Sequence, residues 1–404
     1  AYTIQSGLVD SNRGGPTHIA PMQSAADSYT LTGDVLEVPL TWTGADGVSV
    51  EKIYRFYPGR YNIDVEYRVN NTGAADWQAL NYVQIRRTHN PPERSMFNVD
   101  SYSYDGAVFY DGESFEKIEP DDIEDEPLKQ TLTGGWVAFI QHHFLTAAVP
   151  PGDQDYTYDA NYNNGKLTMR ASGPLQQVGA GQSATFTNTL FVGPKLQSQL
   201  EDTAPDLERT VDYGFLTILA APLFWLLDLV HRYVQNWGWA IIIVTILIKL
   251  AFYKLTEASG KSMAKMRKLQ PRLKALQDRY KDDRQALSQH MMDLYKKEKV
   301  NPAAGCLPML IQIPFFIAFY WVLLESVEMR QAPFALWIND LSARDPFFVL
   351  PLLMGVAMWF QQKLNPAPPD PVQAKVMQIL PIMFTVFFAF FPAGLVLYWL
   401  TNSV

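Results

Sequence analysis

The residue that most invites a chemical reading is Lys249, which interrupts the apolar run WAIIIVTILIKLAF at 239–252. A cation at the depth of lipid hydrocarbon costs roughly 2.5–3.5 kcal/mol on insertion scales, so one kept there points to work on a polar or anionic partner. At about 1.5 Å per residue it lies about 15 Å along a helix from Trp239, near the middle of a hydrocarbon layer about 30 Å thick. A plainer reading has the side chain stretching to the membrane surface, where Lys254 already sits. Spacing alone leaves both open.

Further polar groups stand in apolar surroundings: Thr245, Gln312, Gln378, Thr385, Tyr398 and Trp399. Each alone reads as a helix–helix contact worth under about 1 kcal/mol. Together with Lys249 they read as the lining of a wet cavity. Pro308, Pro314, Pro351, Pro381 and Pro392 predict kinked helices that leave room for one.

Enzyme-like groupings are weaker. His142 and His143 read as strand neighbours, which point to opposite faces and share no metal without a bulge. Six carboxylates within residues 119–126 read as a solvated loop, because their spacing is not that of an EF-type calcium loop. The single cysteine, Cys306, gives neither a disulfide framework nor metal-type cysteine spacing. No phosphate-binding-loop motif occurs, so we expect no ATP hydrolysis, no cofactor and no chemical catalysis.

The elements that must hold these residues fall into two halves. Residues 1–210 carry 14 Lys+Arg against 28 Asp+Glu, a net of −14, and residues 211–404 carry 19 against 13, a net of +6. In the front half Ile63, Val65, Tyr67 and Val69 alternate with Asn62, Asp64, Glu66 and Arg68, the period of a half-buried strand. A second strand over 50–57 joins it through a turn at Pro58-Gly59-Arg60. Further strands are expected at 34–43, 77–86, 135–140, 144–149, 166–171 and 183–192, and no helix before 196. Short strands at this spacing argue an antiparallel sandwich.

The back half reads as a membrane bundle. After a connecting helix at 196–207, Phe215, Leu216, Ile218, Leu219, Leu223, Leu226, Leu227 and Val230 recur at helical spacing opposite Asp228, His231, Arg232 and Gln235. That pattern suits a helix lying in the membrane interface, kinked at Pro222. Trp237 and Trp239 mark an aromatic belt. Four more apolar segments follow the one holding Lys249, at 306–324, 346–361, 376–391 and from 393 on. The stretches 347–360 and 376–391 are short for a bilayer and predict local thinning.

Between the first two spans, residues 257–305 carry 12 Lys+Arg against 6 Asp+Glu, which places them in the cytoplasm. The loop at 325–346, with two arginines and four acids, belongs outside; Lys363 and Lys375 belong inside. The sandwich is then periplasmic in a bacterium, and the protein a multi-pass one of the inner membrane. Within the cytoplasmic segment Met263, Met266, Leu273, Leu276 and Tyr280 share one helical face and Leu287, Met291 and Leu294 another. A basic helical hairpin with a Met-rich seam is expected, parted at Tyr280-Lys281-Asp282-Asp283 and stopped by Pro302. The expected domains are a β-sandwich over 1–195, a linker and interfacial helix over 196–236, and a membrane core over 237–404 with the hairpin at 257–302. Starting at Ala1 and stopping in an apolar stretch at Val404, the chain is read as truncated at both ends.

Several long motifs then match a known family in order. Ser262-Met263-Ala264-Lys265-Met266, Glu298-Lys299-Val300-Asn301-Pro302, Arg330-Gln331-Ala332-Pro333-Phe334-Ala335-Leu336-Trp337-Ile338 and Phe391-Pro392-Ala393-Gly394-Leu395-Val396-Leu397-Tyr398 resemble the YidC family of membrane protein insertases of Gram-negative bacteria. The resemblance runs from about 211 to the end, and more loosely the front half resembles that family's periplasmic supersandwich, similar to galactose mutarotases. It implies that fold followed by a five-span helical bundle. It also implies a hydrophilic groove open to cytoplasm and lipid, in which nascent membrane proteins are received, alone or with the Sec translocon and the ribosome. Lys249 stands where the family has a groove arginine, so the charge stays but the bidentate fork is lost. Thr245 and Gln312 match polar groove positions. Tyr398-Trp399 replaces a tyrosine pair, and an indole donates but accepts nothing. Phe316, Met354 and Phe387 match an apolar slide for the inserting helix; plain bundle core is their alternative. Two rival functions are a transporter or channel with an intramembrane cationic site, and a membrane-anchored carbohydrate enzyme. The first wants paired charges and an internal repeat, the second a convergent acid–base pair.

Overall fold

The computed structural model describes residues 2–10, 14–90, 103–125, 127–280, 283–298, 307–364 and 371–404. It divides into two compact units, Ala1–Val211 and Asp212–Val404. Lys281, Asp282, Lys299 to Pro302 and Cys306 lie outside the described residues.

The first unit is a two-sheet antiparallel sandwich. Its elements are β1 (Tyr2–Asp10), β2 (Gln23–Ser24), β3 (Leu36–Thr43), β4 (Val48–Phe56), β5 (Asn62–Asn71), β6 (Trp77–Thr88), β7 (Asp105–Tyr110), β8 (Phe115–Ile118), α1 (Pro120–Asp125), β9 (Lys129–Thr133), β10 (Trp136–Gln141), β11 (Phe144–Val149), β12 (Asp155–Asn163), β13 (Lys166–Ser172), β14 (Gln176–Val178) and β15 (Ser183–Pro194). One sheet runs β1-β6-β13-β12-β9 with β14 also on β6; the other runs β2-β3-β4-β5-β15-β11-β10-β7-β8. Alternation does the work: Val48 and Val50 on β4 and Val65, Tyr67 and Val69 on β5 turn inward to meet Val83 and Ile85 of β6 and Met169 of β13. Gly59, with φ +72°, supplies the left-handed step in the β4–β5 turn.

Two expectations change here. His142 and His143 are not strand neighbours on opposite faces: they are the turn between β10 and β11, whose register pairs Gln141 with Phe144. His142 takes φ +37°, and the two rings stack at 3.6 Å. The acidic stretch is not a plain loop, since Pro120–Asp125 forms a short helix that anchors itself through buried Ile123. Its last carboxylate, Glu126, lies outside the described residues.

Lys52 is the unexpected interior residue. It follows the inward parity of β4 and is buried, donating from Nζ to Ser6 O at 3.2 Å. The ammonium lies 4.9 Å from the Tyr54 ring centroid and 5.3 Å from that of Tyr67. Burial lowers its pKa to about 8.

The segment expected as a linker from 196 divides. Residues up to 211 stay with the sandwich, as α2 (Gln197–Thr203) and a 3-10 turn at Leu207–Thr210. Leu200 and Leu207 are fully buried, Trp136 Nε1 donates to Pro205 O at 3.0 Å, and Lys195 Nζ donates to Thr210 O at 3.1 Å.

The second unit is helical: α3 (Thr217–Val234), α4 (Trp237–Ala251), α5 (Tyr253–Arg279), α6 (Arg284–Lys297), α7 (Leu307–Glu325), α8 (Val349–Leu364), α9 (Pro371–Phe388) and α10 (Ala393–Ser403). Helix α10 packs on α4, α7 and α8, α9 packs on α8, and α3 packs on α4 and α7. Taken singly among the described residues, only Gly214–Val234 is long and apolar enough to cross a membrane. Its attachments run otherwise. Tyr213 at its start hydrogen-bonds Ser326, just past the end of α7, at 3.4 Å. Asn236 at its far end donates to Pro333 O and Phe334 O. Both ends of α3 are thus tied to the connector leaving α7, so the helix lies across the end of the bundle from which α4, α8 and α10 start.

At the opposite end α4 gives way to α5 at an angle of 63°. Helices α5 and α6 form a hairpin around Leu269 and Leu273, packed by Met266, Met291, Leu294 and Tyr295. Asp283 caps α6, accepting from Gln285 N at 3.1 Å and Ala286 N at 2.9 Å. Arg267 Nη2 donates to Lys363 O at 3.3 Å, joining the middle of α5 to the end of α8.

Candidate functional site

The polar and aromatic residues expected at a groove recur at one-turn spacing on three helices: Thr245 and Lys249 on α4, Gln312 and Phe316 on α7, Tyr398 and Asn402 on α10. Positions four apart share a helix face, and α10 touches both of the others. Lys249 sits in the last turn of α4, half-buried, and its Nζ donates to Asn402 O at 2.6 Å. Two effects make a cation tolerable there. The C-terminal turn of α4 carries the negative end of its own dipole, and a backbone carbonyl of α10 accepts a charge-assisted bond. The site is therefore a cation held by backbone oxygen rather than one side of a carboxylate pair. A backbone acceptor leaves no mark in sequence, so Asn402 is a partner that residue types alone do not reveal.

Thr245 is fully buried and donates from Oγ1 to Ile241 O at 2.6 Å, so its proton is used within its own helix and its lone pairs remain as acceptors. Gln312 is half-buried one turn before Phe316. Tyr398 is buried, stacked at 4.5 Å on Phe319 and 6.0 Å on Phe316. Trp399 meets Phe316 edge-on at 4.6 Å, Phe388 at 5.3 Å and Phe384 at 6.2 Å. An aromatic cluster thus spans α7, α9 and α10. Such pairs contribute about 0.5–1.5 kcal/mol each beyond burial. Phe319, Phe384 and Phe388 belong to it, although apolar periodicity alone marks them only as core.

The three residues expected on an apolar slide separate. Phe387 is exposed on α9 and abuts Phe391 at 4.7 Å. Phe316 is half-buried within the aromatic cluster. Met354 is fully buried on α8, beside Gly355, whose missing side chain makes room for Thr385 of α9. As folded here, Met354 is a packing residue of the α8 core. Among the described residues no group of three or more His, Cys, Asp or Glu is placed to hold a metal ion.

Comparisons with known proteins cover both units. The YidC periplasmic domain profile matches residues 1–226, and that of the 60Kd inner membrane protein matches 229–404. The chain is 50% identical over 421 residues to the membrane protein insertase YidC of Thioalkalivibrio sulfidiphilus, covering all of this chain and 74% of that protein. It is likewise 50% identical over 406 residues to the YidC of Alkalilimnicola ehrlichii, covering 100% and 72%. Among solved structures, an active YidC insertase with its first transmembrane domain resolved is 21% identical, with a TM-score of 0.49, covering 98% of this chain and 81% of that one. With both units matched and half the residues shared from end to end, the chain belongs to the YidC family.

Proposed function

We propose that this chain is a membrane protein insertase of the bacterial inner membrane, receiving nascent membrane proteins and releasing their apolar segments sideways into lipid. The observation that carries the reading is its identity, along its whole length, with proteins named membrane protein insertase. The helical unit suggests how the work is done. A client's short polar tail needs a wet, charged resting place partway across the bilayer. Lys249 offers one by exchanging the Asn402 carbonyl for a client carboxylate, with Thr245, Gln312, Tyr398 and Trp399 as its groove neighbours. Acidic tails gain most. Helices α4 and α8, of 15 and 16 residues, are about 22 and 24 Å long, shorter than the usual hydrocarbon, so the bilayer thins beside them and the remaining path shortens.

The client's apolar segment then leaves past Phe316 and Phe387, driven by its own transfer into lipid at about 25 cal/mol per Å². Met354 joins that surface only if α8 shifts. No nucleotide and no bond-making chemistry enters this scheme. The charge asymmetry supports a periplasmic sandwich and a cytoplasmic hairpin; the five spans, and the Sec translocon and the ribosome as partners, rest on the resemblance to the family. The transporter reading wants paired intramembrane charges, whereas Lys249 engages a backbone oxygen.

The test is insertion of a small single-span client in a depletion strain. Lys249→Ala is expected to impair it and Lys249→Arg to be tolerated; full insertion by Lys249→Ala rules out the charge-dependent step.

A further inference from the structure

Lys363 lies in the last turn of α8, yet its ammonium does not continue past the helix end. It folds back one turn and sits over the Trp359 ring, 3.6 Å from the centroid. A helical side chain covers the turn before its own Cα, so this cation is turned toward the middle of the bundle. Trp359 is 45% exposed, and Phe360, 59% exposed, meets it edge-on at 5.1 Å. Two acids of the neighbouring hairpin, Glu257 and Glu298, are taken by Lys261 and Arg272. A second cation arrives from α5. Exposed Arg267 donates from Nη2 to Lys363 O at 3.3 Å, which sets its guanidinium at the end of α8. Five N–H donors let a guanidinium keep that carbonyl and bind an anion as well.

A lysine at a membrane edge ordinarily extends its head to water. One laid back over an indole, at the head of an exposed aromatic surface, suits an anion carried at the depth where hydrocarbon ends. Helix α8 is about 24 Å long, so thinning of the bilayer beside it brings headgroups down to its last turn. We propose that Lys363 and Arg267 hold the phosphate of an anionic phospholipid of the inner leaflet, whose acyl chain lies along Trp359 and Phe360. One headgroup then joins α5 to α8 alongside the Arg267 hydrogen bond, so the seating of the hairpin depends on the lipid around it. This site rests on the reading that places the bundle in a bilayer with its hairpin end inside, and on no client.

The test uses the full chain in phosphatidylcholine bilayers carrying increasing fractions of acyl-brominated phosphatidylglycerol or acyl-brominated phosphatidylcholine. Bromine quenches a nearby indole, and the share of Trp359 is the difference between the parent and Trp359→Phe. That share is expected to be quenched at a lower fraction of brominated phosphatidylglycerol, with each cation contributing about fivefold to the preference. Lys363→Gln and Arg267→Gln should therefore each cut the preference about fivefold, while Lys363→Arg, which keeps the charge, retains it. Equal quenching by the two lipids in the parent overturns the site, as does an unchanged preference in Lys363→Gln. Reversal of the preference by excess inorganic phosphate at fixed ionic strength would mark a site for free anions and overturn the lipid. No quenching of Trp359 by either lipid would instead sink the placement of α8 in the bilayer.

Discussion

Lys52 and Lys249 are both cations in apolar surroundings, and they answer the same physical problem differently. Lys249 lies where one helix ends and another offers a carbonyl. Lys52 lies between two sheets with a single carbonyl and two tyrosine faces, and burial brings its pKa down from 10.5 to about 8. Folding therefore disfavours its protonated form. Below pH 8 both folded and unfolded chains carry the proton and the full cost is present. Between pH 8 and 10.5 the folded state releases the proton while the unfolded state keeps it, so this residue's contribution rises with pH. The shift corresponds to a difference on the order of 3 kcal/mol. Lys52→Met is expected to raise the calorimetric unfolding temperature of the sandwich at pH 7. That advantage should shrink toward pH 10, where the same buried tyrosines affect both proteins alike. A constant difference across this range would show that the ammonium is not what costs stability. Neither lysine's partner was legible in the sequence: Lys249 stands out as a cation in an apolar run, whereas Lys52 sits in an ordinary alternating strand whose inward parity becomes evident only once its register is known.

Among the elements, α8 and α9 meet where Gly355 receives Thr385. A Cβ at Gly355 would lie 2.0 Å from Thr385 Oγ1 and 3.2 Å from its Cβ. Gly355→Ala is thus expected to destabilise the bundle by about 1–3 kcal/mol, the usual effect of overpacking. Adding Thr385→Ala should return part of that loss, because the nearer of the two contacts disappears. Thermal unfolding in detergent would check this, and equal losses with and without Thr385 would place the strain elsewhere. Element by element, the readable signals were those with a clean period. Strands β4 and β5 follow alternation, and the hairpin seam of Met266, Leu273, Met291 and Leu294 follows helical spacing. Strand β9, KQTLT, is almost wholly polar, and β12, DYTYDANYN, buries Tyr156 and Tyr158 among residues that read as turn formers. The exposed or polar half of a strand in a two-sheet packing carries little apolar signal. Met354 illustrates the matching limit in the helices, since a methionine in a packed core and one on an open apolar surface look identical in sequence.

For the molecule as a whole, the division at Val211 matters more than the one between sandwich strands and linker. Each unit closes its own core, and the candidate groove is built entirely from the second. Removing residues 1–190 is therefore expected to be tolerated better than removing 257–300, measured as growth of a depletion strain carrying each deletion. The reverse order would mean that the sandwich takes part in insertion itself. The hairpin has a mechanical aspect as well. Helix α5 has 27 residues, about 40 Å, and Arg267 fastens it near its midpoint to the last turn of α8. Its distal half is then a cantilever of nearly 20 Å. A push on the α6 tip becomes torque about Arg267, loading α8 at that fulcrum and the α4 bend beyond it.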